Sequence, residues 1–177
     1  MRVRLLVAKL LIVALVGVAT IAGAASGAPR GAAAATPKIT NEGVGKVKLG
    51  KTWKSLNEKG LVGRQRKGCE LAGPGTRAAR LRAPLKGAVD LTKSEPRKVE
   101  SIIVTDGAKA KGVGIGSTKP DIKAKFPHAK FDASTIEVFG ITLVTVPKRD
   151  GGKFQFALEE DTDKVSLIGI PFIAFCE

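Results

Sequence analysis

One pattern occurs twice in this chain. Gly50-Lys51-Thr52-Trp53-Lys54-Ser55-Leu56 matches Gly116-Ser117-Thr118-Lys119-Pro120-Asp121-Ile122, each preceded by an apolar residue, Leu49 and Ile115. A second match, Lys98-Val99-Glu100-Ser101-Ile102-Ile103-Val104 with Lys164-Val165-Ser166-Leu167-Ile168-Gly169-Ile170, stands at the same offset of 66 residues. Two separate matches at one spacing point to a duplicated supersecondary unit. The folded part then divides into residues 39–108 and 109–177.

Within each unit, the threonine of the apolar-Gly-x-Thr turn is placed as a helix N-cap, its hydroxyl able to accept a free backbone N–H of the first turn. Asp121, three residues after Thr118, completes an approximate capping box, and Pro120 is tolerated in a first turn. Apolar residues follow at helical spacing: Trp53, Leu56 and Leu61, then Ile122, Phe126 and Ala129. Strand signals come next: Val89 with Leu91 and Val99 to Val104 in the first unit. In the second they are Ile141 to Val146, the alternating Phe154, Phe156 and Leu158, and Val165 to Ile170, with Asp150-Gly151-Gly152 as a tight turn. The expected fold is α+β: two tandem units, each a short helix region packed on an antiparallel meander.

This arrangement resembles the beta-lactamase-inhibitor-protein-like fold and the related SmpA/OmlA (BamE-like) outer-membrane lipoprotein domain, over most of Gly43 to Ile170. The resemblance implies a continuous curved sheet used for binding rather than catalysis. The inhibitor's binding face is rich in aromatics and has a disulfide in each unit; this chain has no Tyr, one Trp and two Cys. The architecture and the idea of a binding module carry over, whereas beta-lactamase inhibition and its contact residues do not.

The N-terminus reads as an export signal over residues 1–28. Arg2, Arg4 and Lys9 precede an apolar run from Leu10 to Ala22, followed by small residues that allow cleavage after Ala24 or Ala28. A permanent anchor is the alternative, but Gly17 and Gly23 interrupt the run and Pro29 follows it. The Ala- and Pro-rich stretch 29–38 reads as a tether. The protein is therefore expected outside the cytoplasm, secreted or associated with the cell surface. In that oxidising setting Cys69 and Cys176 are most simply one disulfide, with two buried thiols as the alternative. Closing a loop of about 107 residues is worth on the order of 4 to 5 kcal/mol in the chain-entropy model.

The net charge of +14 is concentrated. Residues 46–86 hold twelve basic and two acidic residues, whereas residues 87–177 hold thirteen of each. Arg64, Arg66, Lys67, Arg77, Arg80, Arg82 and Lys86 stand in a Gly- and Pro-rich stretch, Gly63 to Lys86, read as a loop. It is either a solvated, solubilising segment or a docking surface for an anionic partner: an envelope polymer, an acidic lipid surface or an acidic protein. Aromatics for base stacking are missing from it, and with export this argues against nucleic acid.

No catalytic constellation emerges. Gly45 to Thr52 fits G-x-x-x-x-G-K-[ST], the phosphate-cradling P-loop, but no buried strand precedes it, and the second copy of the turn, Ile115-Gly116-Ser117-Thr118, lacks the lysine. Nucleotide is therefore not expected. Gly112-Val113-Gly114-Ile115-Gly116 lacks a parallel βαβ context. His128 is the only histidine, and Glu159-Glu160-Asp161-Thr162-Asp163 reads as a solvated turn, with a weak calcium contact as the sharper alternative. The expectation is an exported, non-enzymatic binding module without cofactor or metal. An inhibitor of a secreted hydrolase and an exported enzyme with a dispersed site are the alternatives.

Overall fold

A short hairpin leads into each helix. β1 (Ile39–Thr40), β2 (Gly43–Val44) and β3 (Val47–Lys48) form an antiparallel ribbon, after which Thr52 caps α1 (Trp53–Glu58). The Thr52 hydroxyl oxygen accepts from the Ser55 N–H at 3.3 Å. At six residues this helix has little stability of its own and depends on burying Leu56. β4 (Val62–Lys67), β5 (Arg77–Leu81), β6 (Lys86–Leu91) and β7 (Val99–Asp106) follow as an antiparallel meander. The order then recurs. β8 (Lys109–Ala110) and β9 (Val113–Gly114) make a hairpin, and Thr118 precedes α2 (Lys119–Lys125). There Asp121 accepts from both the backbone N–H and the hydroxyl of Thr118, at 2.8 and 2.9 Å. β10 (Lys130–Asp132), α3 (Ile136–Phe139), β11 (Ile141–Pro147), β12 (Lys153–Glu159) and β13 (Val165–Ile170) complete the chain. These elements come from a computed structural model that describes residues 35–70 and 73–175. The stretch read as an export signal, most of the stretch read as a tether, and Cys176 lie outside the described residues.

Eight strands form one sheet in the order β10-β11-β12-β13-β7-β6-β5-β4. Each half's last strand is thus central, and β13 runs antiparallel to β7 with Ile168 opposite Val104, Gly169 opposite Ile103 and Ile170 opposite Ile102. Shifted by 66 residues, these three pairs exchange partners and reproduce themselves, so the seam is symmetric about the Ile103–Gly169 pair.

The hydrogen bonds around the two helix starts correspond as well. Gly50 N–H donates to the Val99 carbonyl and Gly116 N–H to the Val165 carbonyl, both at 2.8 Å. Val99 N–H returns to the Lys51 carbonyl and Val165 N–H to the Ser117 carbonyl, both at 2.9 Å. Each turn therefore docks on the last strand of its own half. This contact explains why the two sequence matches share one offset: the matching segments touch.

Side chains alternate across the sheet. Val89, Ile102, Val104, Val144, Phe156 and Ile168 are fully buried against Val44, Val47, Leu56 and Ile122 of the hairpin and helix layer. Phe126, Phe154 and Phe156 pack edge-on or tilted there, with ring centroids 5.4 to 5.8 Å apart. The opposite face carries a smaller cluster, Ile141, Ala157 and Ile173, flanked by Ile103, Leu143, Leu167 and Phe175.

Three local expectations change. The stretch Gly63 to Lys86 is not a loop: β4 and β5 run through it as the outer two strands of the sheet, leaving only residues 68–76 between them. Its Arg, Ala and Gly content hides a strand pattern because an edge strand has little apolar surface to bury. Leu61 lies beyond α1. The chain turns at Gly60, with φ +67°, and Leu61 N–H reaches back to the Leu56 carbonyl at 2.9 Å, a glycine C-cap that keeps Leu61 against the core. Ala129 likewise lies after α2, its N–H on the Phe126 carbonyl. At the end of the stretch read as tether, the Pro37 carbonyl accepts from Lys109 N–H and the Lys38 carbonyl from Gly45 N–H.

Candidate binding face

The face of the sheet opposite α1 and α2 is the candidate site. Register places Arg66, Ala78, Asp90 and Ser101 side by side across β4, β5, β6 and β7. A neighbouring row runs Arg80, Ala88, Ile103, Gly169, Gln155 and Thr145. The basic end of these rows lies at β4 and β5, where Ala78 of β5 and Ala88 of the neighbouring β6 keep the surface low. The Ser101 hydroxyl, fully buried, donates to Asp90 at 2.6 Å.

The chain's own C-terminal segment crosses this face. After β13 it turns over Gly169, where an added Cβ would collide with the Phe172 carbonyl and the Ile173 side chain. The Gln155 side-chain carbonyl accepts from the Ile173 N–H at 2.9 Å, and Phe175 stacks on Phe139 of α3 at 4.4 Å. The segment ends beside Cys69, whose sulfur lies 3.9 Å from the Phe175 carbonyl oxygen. Because β13 is central, it has to cross the strands to arrive there. Cys69 lies in the loop between β4 and β5, so the crossing covers three to four strand spacings, about 14 to 19 Å, close to the full extended reach of five residues, about 17 Å.

A depression lies on either side of this strap, and both touch Cys69, Asp90 and Ala174. One, of about 140 Å³, is walled by Arg77, Glu100 and Phe172. The other, more open and about 530 Å³, is walled by Arg66 and Lys67 over Ala78, Ala88 and Ile103.

All seven basic residues singled out from the sequence are exposed. Arg64, Arg66 and Lys67 stand on β4, Arg77 and Arg80 on β5, Arg82 just after it, and Lys86 begins β6. Two of them are engaged: Lys67 pairs with Glu70 at 2.6 Å and Lys86 with Asp106 at 2.9 Å. The Lys86 hydrogen bond, aided by the Gly107 N–H, holds the Asp106 carboxyl below the usual carboxylate range. Among the described residues the five arginines make no ion pair. They are spread along two strands and a turn, so the structure assembles a basic rim rather than a pocket.

The other motifs have structural explanations. Gly45 lies in the turn joining β2 to β3, and Thr52 caps a helix, so the P-loop-like residues form a hairpin and a helix start. His128 is exposed in the loop after α2, and Glu159 to Asp163 link β12 to β13. Among the described residues no group of His, Cys, Asp and Glu could hold a metal ion, and no helix is long and apolar enough to cross a membrane. No family model, curated protein or solved structure matches the chain.

Sequence reasoning missed the strap and α3. The strap's apolar residues, Phe172, Ile173 and Phe175, were visible, but a segment of five residues after the last strand has no period to read. Only the pair Cys69 and Cys176 signalled a link between the two ends.

Proposed function

We propose that this protein is an exported, non-enzymatic binding module that uses the rim of the sheet face opposite α1 and α2 to hold an anionic envelope polymer. The observation that carries the reading is the set of five exposed arginines, Arg64, Arg66, Arg77, Arg80 and Arg82, with no carboxylate within 4.0 Å among the described residues. Arginine suits this task because its planar fork pairs with carboxylate or phosphate through two parallel hydrogen bonds. Two tandem helix-and-meander units sharing one sheet, as in the beta-lactamase-inhibitor-like fold, are part of the proposal. The 66-residue correspondence of the seam and helix-start hydrogen bonds supports it. A Cys69–Cys176 disulfide is also part of it, supported by the 3.9 Å approach of the Cys69 sulfur to the residue before Cys176.

The test is retention of the purified protein on isolated envelope across a salt series. Retention should fall steeply with salt, and replacing the five arginines by serine should abolish it while leaving the thermal midpoint within a few degrees. Salt-independent retention, or full retention by the variant, rejects the proposal.

A second reading has its own observation. Val138, Phe139 and Phe172 are 72%, 46% and 38% exposed, an unusual display for large apolar side chains beside a sheet face. They favour a protein partner, as an inhibitor of a secreted hydrolase would need. Binding through them would tolerate salt and would be lost on Val138→Asp with Phe139→Ser.

A further inference from the structure

The second half of the chain, with ten basic and nine acidic residues, is strongly polarised. Three of its loops meet around a cavity of about 340 Å³: the turn between β8 and β9, the loop after α2, and the turn between β11 and β12. They bring Lys111, Lys125, Lys148 and Arg149 to its lining, with His128 beside them. The compensating acids sit elsewhere. Glu159 to Asp163 lie at the far end of β12, about 20 Å away along the strand. Asp150 is the one acidic residue of the three loops. Its carboxylate accepts from the Asn41 side chain at 2.6 Å and from Gly152 N–H at 3.1 Å, and it makes no ion pair with the lysines.

Two further observations separate this cluster from an ordinary solvated surface. The Lys111 and Lys148 ammonium groups stand 5.5 and 5.7 Å from the centroid of one ring, Phe126, and Lys148 is also 5.1 Å from Phe154. Two cations gathered at the same buried ring add to one positive field, which an anion bound beside both would offset. In addition, Lys111 adopts φ +49°, a left-handed backbone that disfavours a side chain, whereas Gly45 holds φ +52° at the position 66 residues earlier. The first half therefore uses glycine where the second keeps a strained lysine, and strain of this kind collects at functional sites.

We infer that Lys111, Lys125, Lys148 and Arg149 form a binding site for a compact phosphate group, free or at the end of a lipid headgroup. The site is separate from the arginine rim of β4 and β5. A doubly charged phosphate would bridge the lysines, with Arg149 able to supply a forked contact and the phenylalanine rings keeping the lysine stems ordered.

The test uses the 15N-labelled purified protein, titrated with inorganic phosphate against sodium chloride of equal ionic strength, and then with phosphatidylcholine vesicles with or without phosphatidic acid, whose phosphate is terminal. Saturable shifts of the 111, 148 and 149 amides with phosphate are expected for a free-phosphate site. Signal loss confined to the vesicles that contain phosphatidic acid identifies the headgroup as the source. In either case Lys111→Gly, which suits the left-handed backbone and so keeps the fold, should weaken binding about tenfold, and Lys148→Gln similarly. Shifts matched by chloride, or an affinity that Lys111→Gly leaves unchanged, overturn the inference. Because Lys111→Gly leaves the five arginines in place, failure here is distinguishable from failure of the envelope-binding proposal.

Discussion

Lys111 also makes a prediction about stability. A non-glycine residue held at φ +49° costs on the order of 1 kcal/mol, so Lys111→Gly should raise the unfolding free energy by a comparable amount and the urea midpoint with it. A lower midpoint would show that the lysine stem's packing on Phe126 outweighs the strain. Gly87 presents the opposite case. At φ +129° on β6, an added Cβ would run into the Ile103 carbonyl of β7, and backbone cannot yield as a side chain can. Gly87→Ala should therefore cost about 3 kcal/mol or more, read from chemical denaturation. Asp106 governs an acid-side effect. Its carboxyl is held low by Lys86 and the Gly107 N–H, so its contribution to stability is full above the unfolded value near pH 4 and is lost as pH falls through the lower folded value. Asp106→Asn should accordingly lower stability slightly at neutral pH and flatten its fall in denaturation curves as the pH drops below the unfolded value.

Among the elements, the strap depends most on a single residue. Gly169 lets the C-terminal segment lie close on the sheet, so Gly169→Ala should push residues 171–175 outward. Hydrogen exchange at Ile173 should then rise while β12 and β7 stay protected; unchanged exchange would show that the strap is held elsewhere. What the sequence revealed follows burial. The turns at Thr52 and Thr118, the strands β7, β11, β12 and β13 and the Asp150-Gly151-Gly152 turn all carry strong apolar or turn signals, and all appear where expected. β4 and β10 lie at the two edges of the sheet, where one side has no neighbour, and their sequences, Val62-Gly63-Arg64-Gln65-Arg66-Lys67 and Lys130-Phe131-Asp132, barely alternate. Of the candidate site, the clustered arginines were legible because they are adjacent in sequence. The lysine cavity was not, since its residues come from three loops and their charge cancels against distant acids when summed along the chain.

At the scale of the whole molecule, the two halves share one sheet and one core through the β7–β13 seam. Unfolding should be a single cooperative transition by both tryptophan fluorescence, which reports Trp53 in the first half, and far-ultraviolet dichroism, which reports both; two separated transitions would contradict this. An open sheet of eight strands also has two exposed margins, each able to accept a strand from another copy. β10 limits that risk by being three residues long. At β4 the Trp53 and Asn57 side chains of α1 donate to the Gly63 carbonyl, at 3.0 and 3.2 Å, and so cover its first part. Beyond them only Arg64, Gln65, Arg66 and Lys67 remain, and two copies meeting along that margin would face each other positive charge to positive charge. The arginines offered here to an anionic polymer would thus also keep the protein monomeric at high concentration, and whatever neutralises them would permit one molecule to join the next.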